Sequence, residues 1–167
     1  ITWKVVTMIS MFEGATSFNQ DLRENGNAWD VSDVKYMKSM FKGATIFNGD
    51  ITNWNTNSVT SLDGLVSMFQ NAESFNRDIS GWNTFSVQDY SDMFHGASSF
   101  NQNISGWYTY YATHGFKNMF RDASSFNQDV SNWNVSNVSP SDGFDGMFEG
   151  SNLSEENKCT IHGSFQT

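Results

Sequence analysis

The chain has 167 residues and a formal net charge of −9, with Asp and Glu outnumbering Lys and Arg 18 to 9. That balance argues against a nucleic-acid partner, which needs clustered cations, and no apolar run approaches the roughly 18 to 20 residues of a membrane span. Aromatics at 16%, against one Pro and one Cys, argue against disorder despite the polar average, and the length suffices for one domain with a core.

The chain opens at Ile1 with no Met and no signal-like segment, which suggests a processed or excised piece. Residues 1–10 form a partial unit. Repeats then begin near positions 11, 40, 68, 93 and 119, marked by the dipeptides Met11-Phe12, Met40-Phe41, Met68-Phe69, Met93-Phe94 and Met119-Phe120, with a last copy at Met147-Phe148. Six residues after each of the first five comes a second Phe: Phe18, Phe47, Phe75, Phe100 and Phe126. Seven further on stands Trp54, Trp82, Trp107 or Trp133; in the first repeat Trp29 comes later, so Glu24 to Ala28 reads as an insertion bulging from a turn.

A period of 25–29 residues implies a repeat solenoid of about five to six coils over 1–146, followed by a last partial unit and C-terminal cap over 147–167. Each coil cannot bury its apolar face alone, so Phe is expected on Phe and Trp on Trp along the molecule. The Met-Phe segment reads as one short helix or turn per coil. Gly14, Gly43, Asn71, Gly96, Asp122 and Gly150 share the position two residues after its Phe, which points to a left-handed conformation there. The Phe-Asn-x-Asp-Ile stretch reads as one short parallel strand per coil.

The unit MFxGAxxFNxDIxxWNxxxV resembles the BspA-like leucine-rich repeats of bacterial and algal surface proteins and mycoplasma lipoproteins, over essentially the whole chain. The ending NLSEENKCTIHGSF resembles the cap of such arrays, in which a second Cys often follows; by that resemblance Cys159 lacks its partner. The resemblance implies a leucine-rich-repeat-like, right-handed solenoid with strands on its concave face, an extracellular or cell-surface location, and a binding role in place of chemistry.

Function in a solenoid belongs to columns. Asn19, Asn48, Asn76, Asn101 and Asn127 form one, expected to bridge backbone groups of adjacent coils. Asp21, Asp50, Asp78, Asn103 and Asp129 form a second. Like charges about 4.8 Å apart need a compensating contact, so Ca²⁺ at Asp50, Asp78 and Asp129 is one reading and a solvated ladder the other. Thr52, Ser80, Ser105 and Ser131 add a hydroxyl row two residues on. Tyr108, Tyr110 and Tyr111 interrupt the pattern after Trp107 and suit a local contact site.

His95, His114 and His162 fall at unrelated positions with no metal-ligand or nucleophile-base spacing, so no enzyme is indicated and no cofactor other than Ca²⁺. Asn103, Asn134, Asn137 and Asn152 begin N-glycosylation triplets, the third weakened by Pro140. The reading is a non-enzymatic recognition or adhesion module, binding a protein or glycan through its concave face or loops. The alternative is a rigid accessory subunit docked against neighbouring subunits of an assembly, in a non-cytosolic compartment.

Overall fold

The computed structural model describes residues 4–24, 26–60, 62–139 and 141–166. Ile1 of the partial first unit, Asn25 of the insertion and Pro140 lie outside the described residues.

Successive repeats are joined by main-chain hydrogen bonds along the Met-Phe segment. The N–H groups of Ser10, Phe12 and Gly14 donate to the carbonyls of Lys38, Met40 and Lys42 at 2.9, 2.8 and 2.7 Å. Far down the chain the same rungs recur, from Asn118, Phe120 and Asp122 to Asp145, Met147 and Glu149 at 2.8, 2.8 and 2.7 Å. The intervening amides bond backward within their own repeat: Met11 to Met8, Glu13 to Ser10 and Ala15 to Phe12. Alternate amides therefore cross between repeats or close turns, and each backbone donor of the segment is used.

This alternation makes the segment a run of turns and not a helix. Its path needs a left-handed residue twice. Gly14, Gly43 and Gly96 have φ of 69°, 70° and 70°, as the Gly/Asn/Asp alternation predicts, and Asn71 and Asp122 join them at 57° and 56°. A second such position lies four residues earlier, at Ser10, Ser39, Ser67, Asp92, Asn118 and Gly146, and is not evident from the sequence pattern. Short polar side chains tolerate this conformation because they can bond locally.

The Phe-Asn-x-Asp-Ile stretch is not a strand. Its Asn amide is taken by a side chain of the previous repeat, as where Asn48 N–H donates to Asn19 Oδ1 at 2.8 Å, and at Asp50 the Asp amide is too, donating to Asp21 Oδ1 at 2.8 Å. The parallel pairing that does occur among the described residues is two isolated bridges, Thr7 with Tyr36 and Asp89 with Gly115, both preceding a Met-Phe dipeptide. The insertion forms a hairpin, β1 Arg23–Glu24 pairing antiparallel with β2 Asn27–Ala28. One helix, α1 Glu155–Phe165, ends the described chain; the Ser154 side chain caps it by accepting the N–H of Asn157.

The core is a set of aromatic columns. Phe12, Phe41, Phe69, Phe94, Phe120 and Phe148 stack ring on ring at centroid distances of 5.4–5.7 Å, within 5° of parallel. Phe18, Phe47, Phe75, Phe100 and Phe126 form a second column at 5.7–6.2 Å. Within a repeat the two rings lie against each other, as with Phe94 and Phe100 at 3.9 Å. A third column changes character along the chain, from Met8, Met37 and Leu65 to Tyr90, Phe116 and Phe144. The buried indoles of Trp82, Trp107 and Trp133 each donate to the carbonyl of an Ile one repeat back: Ile51, Ile79 and Ile104, at 3.3, 3.2 and 3.1 Å.

Candidate recognition surfaces

The Asn column is a continuous ladder. Asn48, Asn76 and Asn101 each accept, through Oδ1, the N–H of the next Asn in line at 3.0, 3.0 and 2.9 Å. Asn127 accepts from Ser154, the residue that caps α1, at 2.9 Å. An amide oxygen does here what a strand carbonyl would do, which accounts for the column without a ligand.

The acidic column has a local task. Oδ1 of Asp50, Asp78, Asn103 and Asp129 accepts the N–H of Thr52, Ser80, Ser105 and Ser131, two residues on, at 2.9–3.0 Å. These are Asx turns, and an amide oxygen serves as well as a carboxylate oxygen. Asn103 therefore fits the column without breaking it. Asp21 differs, its Oδ1 accepting the N–H of Asp50 in the next repeat. Charge repulsion is relieved at one end by Arg23, whose guanidinium pairs with Asp50 Oδ2. The Thr52 N–H holds the Asp50 carboxyl below the usual carboxylate range, and the Ser80 N–H and hydroxyl do the same for Asp78.

Among the described residues no group of three or more His, Cys, Asp or Glu side chains converges as for a metal ion. His95 Nδ1 lies 3.1 Å from Asp92 Oδ1 and 3.3 Å from Gln70 Nε2, on the Met-Phe side of the molecule, while His114 and His162 sit elsewhere on the surface.

Four predicted residues do come together. Asp78, Ser80, Asn103 and Ser105 line a shallow polar pocket of about 290 Å³, along with Gln102 and Gly106, which the sequence reading did not single out. Gln102 Nε2 is held on Asn76 Oδ1 at 2.8 Å, so its carbonyl end stays available. Thr52 and Ser131 belong to other repeats and do not line this pocket.

The three tyrosines gather around a fourth ring, Phe85. Its centroid lies 4.8 Å from that of Tyr108 and 5.3 Å from that of Tyr111, and Tyr110 meets Tyr111 edge-on at 5.2 Å. All four are exposed, at 50% for Phe85, 45% for Tyr108, 39% for Tyr110 and 41% for Tyr111. The loop is held in place by the backbone: Thr84 Oγ1 accepts the Tyr108 N–H at 2.9 Å, and Asn137 Nδ2 donates to the Tyr110 carbonyl at 2.8 Å. Phe85 had a signal in the sequence, since it falls outside every Phe column. The cluster and the polar pocket adjoin along the chain, because Gly106 and Tyr108 are two residues apart and their Cα atoms at most about 7.6 Å.

A family model described as Mycoplasma protein of unknown function, DUF285, matches residues 2–67 and again 62–160. The chain belongs to that family. Two matches in tandem cover most of its length, in line with the internal repetition. No curated protein and no solved structure matches the chain. Among the described residues, no helix is long and apolar enough to cross a membrane.

Proposed function

We propose that this DUF285 protein is a non-enzymatic recognition or adhesion module of a secreted or surface-anchored protein, built as a leucine-rich-repeat-like solenoid of the BspA-like type. The exposed cluster of Phe85, Tyr108, Tyr110 and Tyr111 carries this reading. Among the described residues most other rings lie in the core columns and Tyr36 is exposed apart from them, whereas these four sit together in solvent on a backbone pinned by hydrogen bonds. Rigid, amphipathic rings at low entropic cost are what recognition surfaces use. The adjoining polar pocket supplies acceptors and donors for the rim of the same protein or glycan ligand.

The test is binding of the purified chain to immobilised glycans and to singly displayed secreted proteins, repeated with Phe85→Ser/Tyr111→Ser. The reading requires a ligand lost by this variant while the melting midpoint holds. Ligands indifferent to the substitution would overturn it. A rigid accessory subunit remains the second reading, favoured by the same exposed aromatic patch, which a neighbouring subunit would cover as a ligand would.

A further inference from the structure

The exposed rings stand where the fold elsewhere uses a turn-forming residue. In four of the five full repeats the residue after Trp is Asp or Asn: Asp30, Asn55, Asn83 and Asn134. Each accepts through Oδ1 the N–H two residues on, at 2.9–3.1 Å. Tyr108 holds that position in the remaining repeat, and a tyrosine ring cannot close this turn. The loop is held by other means. Tyr90, where Leu65 and Phe116 stand in the neighbouring repeats, brings a buried hydroxyl to 3.4 Å from the carbonyls of Thr84 and Tyr108. Three departures from the repeat pattern, Phe85, Tyr90 and Tyr108, thus meet at one place.

The surrounding loops carry no charge. Counted from the residue after Trp, the six-residue stretches 55–60, 83–88, 108–113 and 134–139 contain no Asp, Glu, Lys or Arg. The same stretch of the first repeat, 30–35, holds Asp30, Asp33 and Lys35, so the fold accepts charge there. The strip offers amide and hydroxyl groups in its place. Asn83 Nδ2 donates to Asn57 Oδ1 and Asn137 Nδ2 to the Tyr110 carbonyl, both at 2.8 Å, which ties neighbouring loops together. Asn57 Nδ2, Asn134 Nδ2, Asn137 Oδ1 and the hydroxyls of Tyr108, Tyr110 and Tyr111 have no partner among the described residues, and all six residues are exposed.

We propose that this strip binds a neutral glycan, an assignment that rests on the recognition reading above and gives it a ligand class. Sugar rings stack on Tyr108 and its neighbours, and their hydroxyls bond to the Asn amides. The electron-rich face of an aromatic ring suits the C–H side of a sugar, while a side-chain amide supplies both a donor and an acceptor to adjacent hydroxyls. A basic peptide finds no carboxylate along these loops, and a sulfated or sialylated glycan finds no cation. Asp78 in the adjoining pocket would repel an anionic ligand and can accept from a sugar hydroxyl.

An array of neutral, sialylated and sulfated oligosaccharides, run beside the displayed secreted proteins, tests this with wild type and Tyr108→Asn. The substitution restores the turn residue of the other repeats, so the melting midpoint should hold or rise. Binding to neutral oligosaccharides should nevertheless weaken about tenfold. In wild type that binding should be equal at low and at physiological salt, since no charge pair forms. Neutral oligosaccharides that bind Tyr108→Asn as well as wild type would overturn the assignment. So would ligands lost in the variant that are all proteins, or charged glycans with salt-dependent affinity, although recognition through the rings would then stand. A chain with no ligand sensitive to any of the exposed rings would overturn both.

Discussion

The side-chain oxygen of Asn76 accepts the backbone N–H of Asn101 at 3.0 Å, one repeat further on. It also receives Gln102 Nε2 at 2.8 Å. Asn76→Ala removes both bonds and should lower stability by about 1 kcal/mol, read as a lower urea midpoint at unchanged slope. Asn76→Asp keeps the acceptor and should recover most of that loss.

Phe100 is fully buried between Phe75 and Phe126 and lies on Phe94. Phe100→Ala opens a cavity shared by three repeats and should destabilise by about 3–5 kcal/mol. Equilibrium unfolding that showed a loss below about 1 kcal/mol would remove Phe100 from the core.

Trp54 differs from its column. Its Nε1 is buried without a partner. The Leu22 carbonyl, in the place of the Ile carbonyls that serve the later indoles, accepts the N–H of Trp29 but not this indole, whereas Ile51, Ile79 and Ile104 each accept both the N–H of their own Trp and the next indole. Trp82 Nε1 has its Ile51 carbonyl. Trp82→Phe should therefore cost about 1 kcal/mol more than Trp54→Phe, since only the first breaks a hydrogen bond. Equal losses in paired denaturation curves would contradict the orphaned indole.

Asp50 and Asp78 have carboxyls depressed by the amides of their own turns. A depressed folded pKa contributes stability that is present above the unfolded value, near 3.8, and is lost as pH falls through the folded one. The acid limb of the stability curve should begin below about pH 4 for these groups. Asp78→Asn preserves the acceptor, so stability at pH 7 should hardly move while the limb becomes shallower. A limb as steep as wild type would mean that Asp78 does not contribute to it.

Calcium added to chelator-treated protein should leave the melting midpoint in place. Each Oδ1 of the row is tied to its own backbone turn, and no three ligating side chains converge among the described residues. A midpoint that climbs with calcium concentration, and fails to do so in Asp78→Asn, would instead assign the row to the ion.

The columns of Phe, Trp and Asn were legible in the sequence because their spacing within a unit is fixed, Trp29 excepted, and each residue type has one physical use. The strand at Phe-Asn-x-Asp-Ile was misread for a related reason. Alternating apolar and polar residues say which side chains turn inward, but not whether a backbone amide meets a carbonyl or the Oδ1 of Asn19. The second left-handed position escaped notice because Ser10, Ser39 and Ser67 are residues at home in any turn. Asp50 and Asp78 drew attention by their charge, although what their turns use is one oxygen. The Phe85 cluster depends on where a loop of one repeat falls against a loop of the next, and no spacing within either encodes that.

The hairpin at Arg23–Ala28 bears on how such a chain can change over generations. Interior junctions consist of one recurring set of bonds, so gaining or losing a whole unit of 25–29 residues leaves two neighbours that still fit. A unit carrying the hairpin is not interchangeable in this way, since the indole of the unit that follows it, Trp54, finds no partner. Duplicating it would add one unmet buried indole per copy, about 1–3 kcal/mol each time. The array can drift in length through its plain units, while the decorated one is kept to a single copy.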